Sequence, residues 1–163
     1  MVCAVCSKKP YLNGMCRQCF NNYFIKKARK EIRLNDLFRR NDSVFVADNR
    51  NAQSFAAKWV VENMEMPLRF SKKGKKIAGT CMENEISEFL KSMLENKKLK
   101  KDKSIRLFSN MQLTEVFAFA KMKGYTGKTP KLDKLQEMVE GIDKKHSTTK
   151  SALFKSVQAL KAL

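Results

Sequence analysis

Four of the five cysteines of this chain fall within its first nineteen residues, and their spacing dictates what the N-terminus becomes. Cys3-Ala4-Val5-Cys6 and Cys16-Arg17-Gln18-Cys19 read C-x2-C, a nine-residue spacer, then C-x2-C. Two residues between cysteines let both thiolates of a knuckle turn towards one ion, and two knuckles complete a tetrahedral sulfur set. The spacer holds Pro10 and Asn13-Gly14, which suit the turn between knuckles. The expectation is a structural Zn2+ on Cys3, Cys6, Cys16 and Cys19. Spacing argues against an iron–sulfur cluster, and the absence of a signal-peptide core argues against disulfides. With all four positions taken by protein thiolates, such a metal holds structure and hydrolyses nothing.

Charge narrows the partner. Thirty-four Lys plus Arg against sixteen Asp plus Glu leave +18 on 163 residues, an excess that calls for a polyanion. Hydrophobic residues make up 43%, enough for a core, so disorder is not the default. No run of about 18 apolar residues occurs, so a transmembrane helix and a membrane partner are not expected and the location is read as cytoplasmic.

After the cysteines, Phe20, Tyr23, Phe24, Ala28, Ile32 and Leu37 recur at three- and four-residue intervals, which predicts a helix. Its other faces carry Lys26, Lys27, Arg29, Lys30 and Arg33, with Arg39 and Arg40 beyond, against only Glu31 and Asp36. Ser43–Ala47 then reads as a buried strand, Asp48–Asn51 as a polar turn, and Ala52–Glu62 as a helix. Strand, tight turn and helix open many α/β folds, and ligands gather at that turn. A phosphate site there needs glycines and a lysine, and this turn has neither.

The basic loop Ser71–Lys76, with Lys72, Lys73, Lys75 and Lys76, leads to a second parallel strand at Ile77–Thr80 and a helix from Met82 to Leu94. That helix is expected to bury Ile86, Phe89, Leu90, Met93 and Leu94, with Glu83, Glu85 and Glu88 complementing its dipole. A second basic loop holds Lys97, Lys98, Lys100 and Lys101. A strand follows at 104–108, then helices over 112–122, from Thr129-Pro130 through Ile142, and from a Ser147 or Thr148 cap to Leu163. His146 reads as a solvated turn residue, Cys81 as a small core residue, and no catalytic residue is assigned.

This order resembles the tRNA 2-thiolation family of PP-loop ATP pyrophosphatases, the wobble-uridine thiolases and their noncatalytic partner subunits. The resemblance is carried by Met15-Cys16-Arg17-Gln18-Cys19-Phe20, by the basic helix leading into Val44–Ala47, by Ile77–Glu85, and by the segments Leu113–Ala120 and Thr148–Phe154. It implies a truncated Rossmann-like, adenine nucleotide alpha hydrolase-like α/β sheet with an N-terminal zinc ribbon and a helical C-terminal part. The divisions implied are 1–20 zinc ribbon, 21–42 basic connecting helix, 43–110 degenerate PP-loop core and 111–163 helical segment. The family's ATP loop is Ser-Gly-Gly-Lys-Asp-Ser; here Asn49, Arg50, Asn51, Ala52, Gln53 and Ser54 stand in its place, and only Ser54 matches. Its acidic pair becomes Glu83-Asn84, and its mid-domain cysteine pair is missing between Phe70 and Lys76, where a segment is expected to be lost.

A noncatalytic tRNA-binding homologue follows, without ATP, partnered with an active thiolase paralogue as a heterodimer. Lys26, Lys27, Arg29, Lys30 and Arg33 would neutralise phosphates, with the Lys72–Lys76 and Lys97–Lys103 loops extending the track. Two alternatives are an active ATP-dependent tRNA sulfurtransferase rewired around Asp48, Ser54 and Glu83, and a zinc-ribbon adaptor between protein and RNA.

Overall fold

The computed structural model describes residues 2–98, 103–146 and 148–161. The two knuckles are folded together by a tight hairpin in which the Tyr11 N–H donates to the Met15 carbonyl at 2.7 Å and the Met15 N–H to the Leu12 carbonyl at 2.9 Å. Helix α1 (Arg17–Leu34) follows and buries Phe20, Phe24, Ala28 and Ile32, one residue per turn. The periodicity ran on to Leu37, but the helix stops at Leu34, and Asp36 takes a left-handed φ of 44°. Phe38 then enters the core from the connecting loop.

Next in chain order are β1 (Ser43–Val46), α2 (Ala52–Glu62), β2 (Arg69–Phe70), β3 (Lys75–Cys81), α3 (Met82–Leu94) and β4 (Ile105–Phe108). Helices α4 (Leu113–Met122), α5 (Lys134–Lys145) and α6 (Thr149–Lys161) complete the chain. The four strands form one parallel sheet in the order β2-β1-β3-β4, so the α/β reading with a four-cysteine cluster at the N-terminus holds. Phe20, Phe24, Val44, Ala56, Val60, Ile77, Phe108 and Phe119 belong to a main core shared by α1, α2, α4 and the sheet. A smaller core joins Met82 and Ile86 of α3 to Val139 of α5, with Leu153 and Phe154 of α6 packed on it.

Strand β2 was not foreseen, because two residues carry no period. Its partners explain how so short a link joins it to β3. Val44 of β1 pairs with Phe70 on one side and with Lys75 on the other. The chain therefore steps across β1 and continues in the same direction, instead of returning to the start of the sheet through the dozen or more residues a parallel crossover needs. Gly74 makes the step possible, since a Cβ there would stand 2.4 Å from the Ser43 carbonyl carbon.

Other differences have local causes. Met93 and Leu94 of α3 are exposed, and the buried face is Met82, Glu83, Glu85, Ile86 and Ser87. Helix α5 begins at Lys134, not at Thr129-Pro130. There Asp133 accepts from the Gln136 N–H at 2.9 Å, and the Gln136 side chain accepts from the Asp133 N–H at 3.0 Å. That reciprocal pair satisfies two end amides, which a proline at the first position does not do. Ser147 and Leu163 lie outside the described residues. No helix among the described residues is long and apolar enough to cross a membrane.

Candidate functional site

The sulfurs of Cys3, Cys6, Cys16 and Cys19 all lie within 4.8 Å of one another. Cys16 is the N-cap of α1 and its sulfur accepts from the Cys19 N–H at 3.5 Å, so the second knuckle is the first turn of the helix. Cys3 and Cys16 are buried, Cys6 is exposed and Cys19 is half-buried. Backbone N–H groups of Cys16 and Val5 aimed at Cys3 lower its thiol to about 6, and the Cys19 N–H lowers Cys16. Sharing a proton with Cys6 raises Cys19 to about 12.

Leu12 and Met15 pack this module on the main core, and polar contacts tie it to α4. The Tyr11 hydroxyl donates to the Ala118 carbonyl at 3.2 Å, and Arg17 to the Met122 carbonyl at 3.3 Å. The third, Glu115, was not singled out in the sequence. It is 4% exposed and accepts from Asn13 of the spacer, Tyr23 and Lys27 of α1, and the Gln112 N–H. Burial opposes the charge of Lys27, and Glu115 at 3.1 Å outweighs it and raises its pKa. Its position, three residues after the Gln112 cap, marks it as a capping residue and nothing more.

The loop after β1 has spent its donors on itself. Asn51 caps α2 by accepting from the Ser54 N–H at 2.8 Å, and the Ser54 hydroxyl donates to the Asn51 carbonyl at 3.0 Å. Asp48 accepts from the Arg50 N–H at 2.8 Å, with Arg50 held at a φ of 52°. Asn49 is exposed and Ala52 is buried. Gln53 turns away from the loop and donates to Asn84 at 2.7 Å and to the Cys81 sulfur at 3.3 Å. A crevice of about 250 Å3 persists here, lined by Asp48, Arg50, Asn51, Ser54, Phe55, Lys58 and Tyr125.

Glu83 and Asn84 do not form an acidic pair facing that crevice. Glu83 is 4% exposed, accepts from the Leu113 N–H at 2.8 Å and pairs with Lys150 at 3.4 Å. Cys81 is fully buried, and burial pushes its thiol up.

The basic residues divide. Lys26, Arg29, Lys30 and Arg33 line a groove beside Met64, Glu65 and Met66. Lys27 is turned to Glu115, Arg39 pairs with Asp36, Lys75 pairs with Asp42 at 2.7 Å, and Lys97 pairs with Glu95 at 2.9 Å. Arg40, Lys72, Lys73, Lys76 and Lys98 are exposed. Lys100 and Lys101 lie outside the described residues.

No family model matches the sequence, and no curated protein matches it. Solved structures do. One is the U34-tRNA thiolase NcsA from Methanococcus maripaludis, described with its 4Fe-4S cluster. Superposition gives a TM-score of 0.75 at 14% identity over 98% of this chain and 87% of that one. At this identity the likeness is one of fold, and it supports the Rossmann-like thiolase architecture.

That finding corrects the cofactor expectation of zinc with an iron–sulfur cluster argued against. The solved protein of the same fold is described with such a cluster, and the site here is four converging cysteines. Spacing was the wrong discriminator, because C-x2-C knuckles converge thiolates whichever group they hold. Four thiolates with no histidine or carboxylate are the donor type that iron–sulfur clusters use.

Proposed function

We propose that this protein is a noncatalytic member of the tRNA-thiolase fold that binds tRNA and assists an active paralogue, as its heterodimeric partner, in tRNA thiolation. The observation that carries the reading is the loop after β1. In a fold shared with a tRNA thiolase, the Arg50 and Ser54 amides of this loop are taken by Asp48 and Asn51, the glycine positions hold Arg50 and Asn51, and Ala52 stands where a lysine would meet the charge. The +18 charge favours an RNA partner over a purely protein one.

In this reading Cys3, Cys6, Cys16 and Cys19 hold a metal centre, with an iron–sulfur cluster the group to be sought. Bound there, a cluster supplies a cross-link and a one-electron couple. This chain contributes the thiolates and, through Tyr11, Arg17 and Glu115, fixes them against α4.

Calorimetry with Mg-ATP tests the loop, and the expected result is no heat at millimolar nucleotide. Saturable ATP binding would overturn the noncatalytic reading in favour of a rewired sulfurtransferase. Binding of tRNA should weaken with salt, the log–log slope steepening by roughly 0.7–0.9 per phosphate neutralised. A salt-independent association would remove the RNA reading. Iron and acid-labile sulfide measured in anaerobically purified protein test the centre, and a colourless protein holding neither would remove the cluster.

A further inference from the structure

The connections α1 to β1, α2 to β2, β2 to β3 and α3 to β4 all open at the N-terminal ends of the parallel strands, whereas the Asp48–Asn51 loop opens at the C-terminal end of β1. Arg39, Arg40, Lys72 and Lys73, on the described connections, therefore lie at the end of the sheet away from the degenerate loop. A groove of about 590 Å3 lies there, between α1 and the Met64–Met66 segment. Lys26, Arg29, Lys30 and Arg33 line its α1 wall at i, i+3, i+4 and i+7, a single stripe about 10 Å long. Among the lining residues Glu65 stands beside Arg29 at 3.5 Å and is 88% exposed, so it leaves the wall strongly positive.

The floor is apolar. Ile32 is buried, and Met64 and Met66 are half-buried and packed on the main core. A surface that only follows phosphates needs cations and no such floor. An apolar floor between cations suits an unstacked base, and thioether side chains adapt to rings of different shape. An A-form duplex keeps its bases stacked inside and would leave the floor uncovered.

We infer that this groove holds an unpaired stretch of RNA, with its phosphates on Lys26, Arg29, Lys30 and Arg33 and a base on Met64 and Met66. The inference rests on the RNA-binding reading and adds the form of RNA and the end of the molecule that takes it. The degenerate loop and the RNA then occupy opposite ends of β1.

The test is an unstructured oligonucleotide of about 10 nucleotides carrying a photoreactive base, compared with a blunt duplex of equal length. The single strand is expected to bind several-fold tighter than the duplex and to cross-link to residues 26–33 and 64–66. The double variant Met64→Ser/Met66→Ser should lose that preference with its salt slope unchanged. The triple variant Lys26→Ala/Lys30→Ala/Arg33→Ala should flatten the slope by about 2. Because the methionines also pack on the core, the cross-link map of the unaltered protein decides the matter if the variants misfold. Equal affinity for strand and duplex, or cross-links elsewhere, overturns the inference, as does binding of an acidic peptide in place of RNA. If tRNA binds but cross-links away from the groove, the inference falls and the tRNA reading stands. If the oligonucleotide cross-links in the groove while tRNA does not bind, the tRNA reading falls and the groove stands.

Discussion

Cys16 carries two duties at one atom, as a thiolate of the four-cysteine site and as the cap of α1. Serine caps a helix well and alanine does not, whereas neither replaces the thiolate. Cys16→Ser and Cys16→Ala should therefore lose bound metal equally. In the metal-stripped state Cys16→Ala should be less stable than Cys16→Ser by about 1 kcal/mol, read by urea denaturation. Asp133 offers a pH test. Burial would raise its carboxyl, but Lys91 at 2.8 Å, the Gln136 N–H and the Ser87 hydroxyl outweigh it and hold it at about 2. A carboxyl depressed below the ordinary value of about 3.9 adds stability above that pH, and the contribution is lost as pH falls from about 4 to about 2. Asp133→Asn keeps the cap and should flatten the stability profile in that window, measured by thermal melts across pH. The cysteine spacing was legible without any structure. Glu115 was not, because what makes it a hub is the arrival of Asn13, Tyr23 and Lys27 from parts of the chain about 90–100 residues away, and no local pattern encodes that.

At the scale of elements, α3 shows why a local rule was only partly right. Its first-turn acids were read as partners of the helix dipole, yet Glu83 and Glu85 are buried in ion pairs, Glu85 with Arg106 and Lys161, and Glu83 with Lys150. Lys150 is 3% exposed and also pairs with Glu140 at 2.7 Å, so one ammonium joins α3, α5 and α6. Lys150→Met leaves Glu83 buried without its cation and should cost about 3–5 kcal/mol, with part of the loss recovered by adding Glu83→Gln, as measured by chemical denaturation. Gly79 of β3 sets how closely α2 approaches the sheet, since a Cβ there would lie 2.3 Å from the Gln53 carbonyl oxygen. Gly79→Ala should push α2 outwards, at a cost of roughly 1–3 kcal/mol in the same measurement. The bounds of α3 and the place of β1 could be read from period and composition. Neither reveals β2, whose two residues are strand only because β1 lies beside them.

For the whole molecule, composition set a large positive charge and left open whether the cations shared a face. Parallel topology puts the connections that enter strands at one end of the sheet. What remained illegible was that the link from Phe70 to Lys75 steps across β1. The step ties together hydrogen bonds on both flanks of the strand: the Ser71 N–H donates to the Val44 carbonyl at 3.0 Å, and the Ala47 N–H to the Ile77 carbonyl at 2.9 Å. Peeling either neighbour from β1 drags the other with it, since only residues 71–74 separate them. The two flanks should behave as one opening unit, and hydrogen exchange would then release the Ser71 and Ala47 amides with a common free energy. A parallel sheet that elsewhere frays strand by strand is here laced through its middle by its own chain.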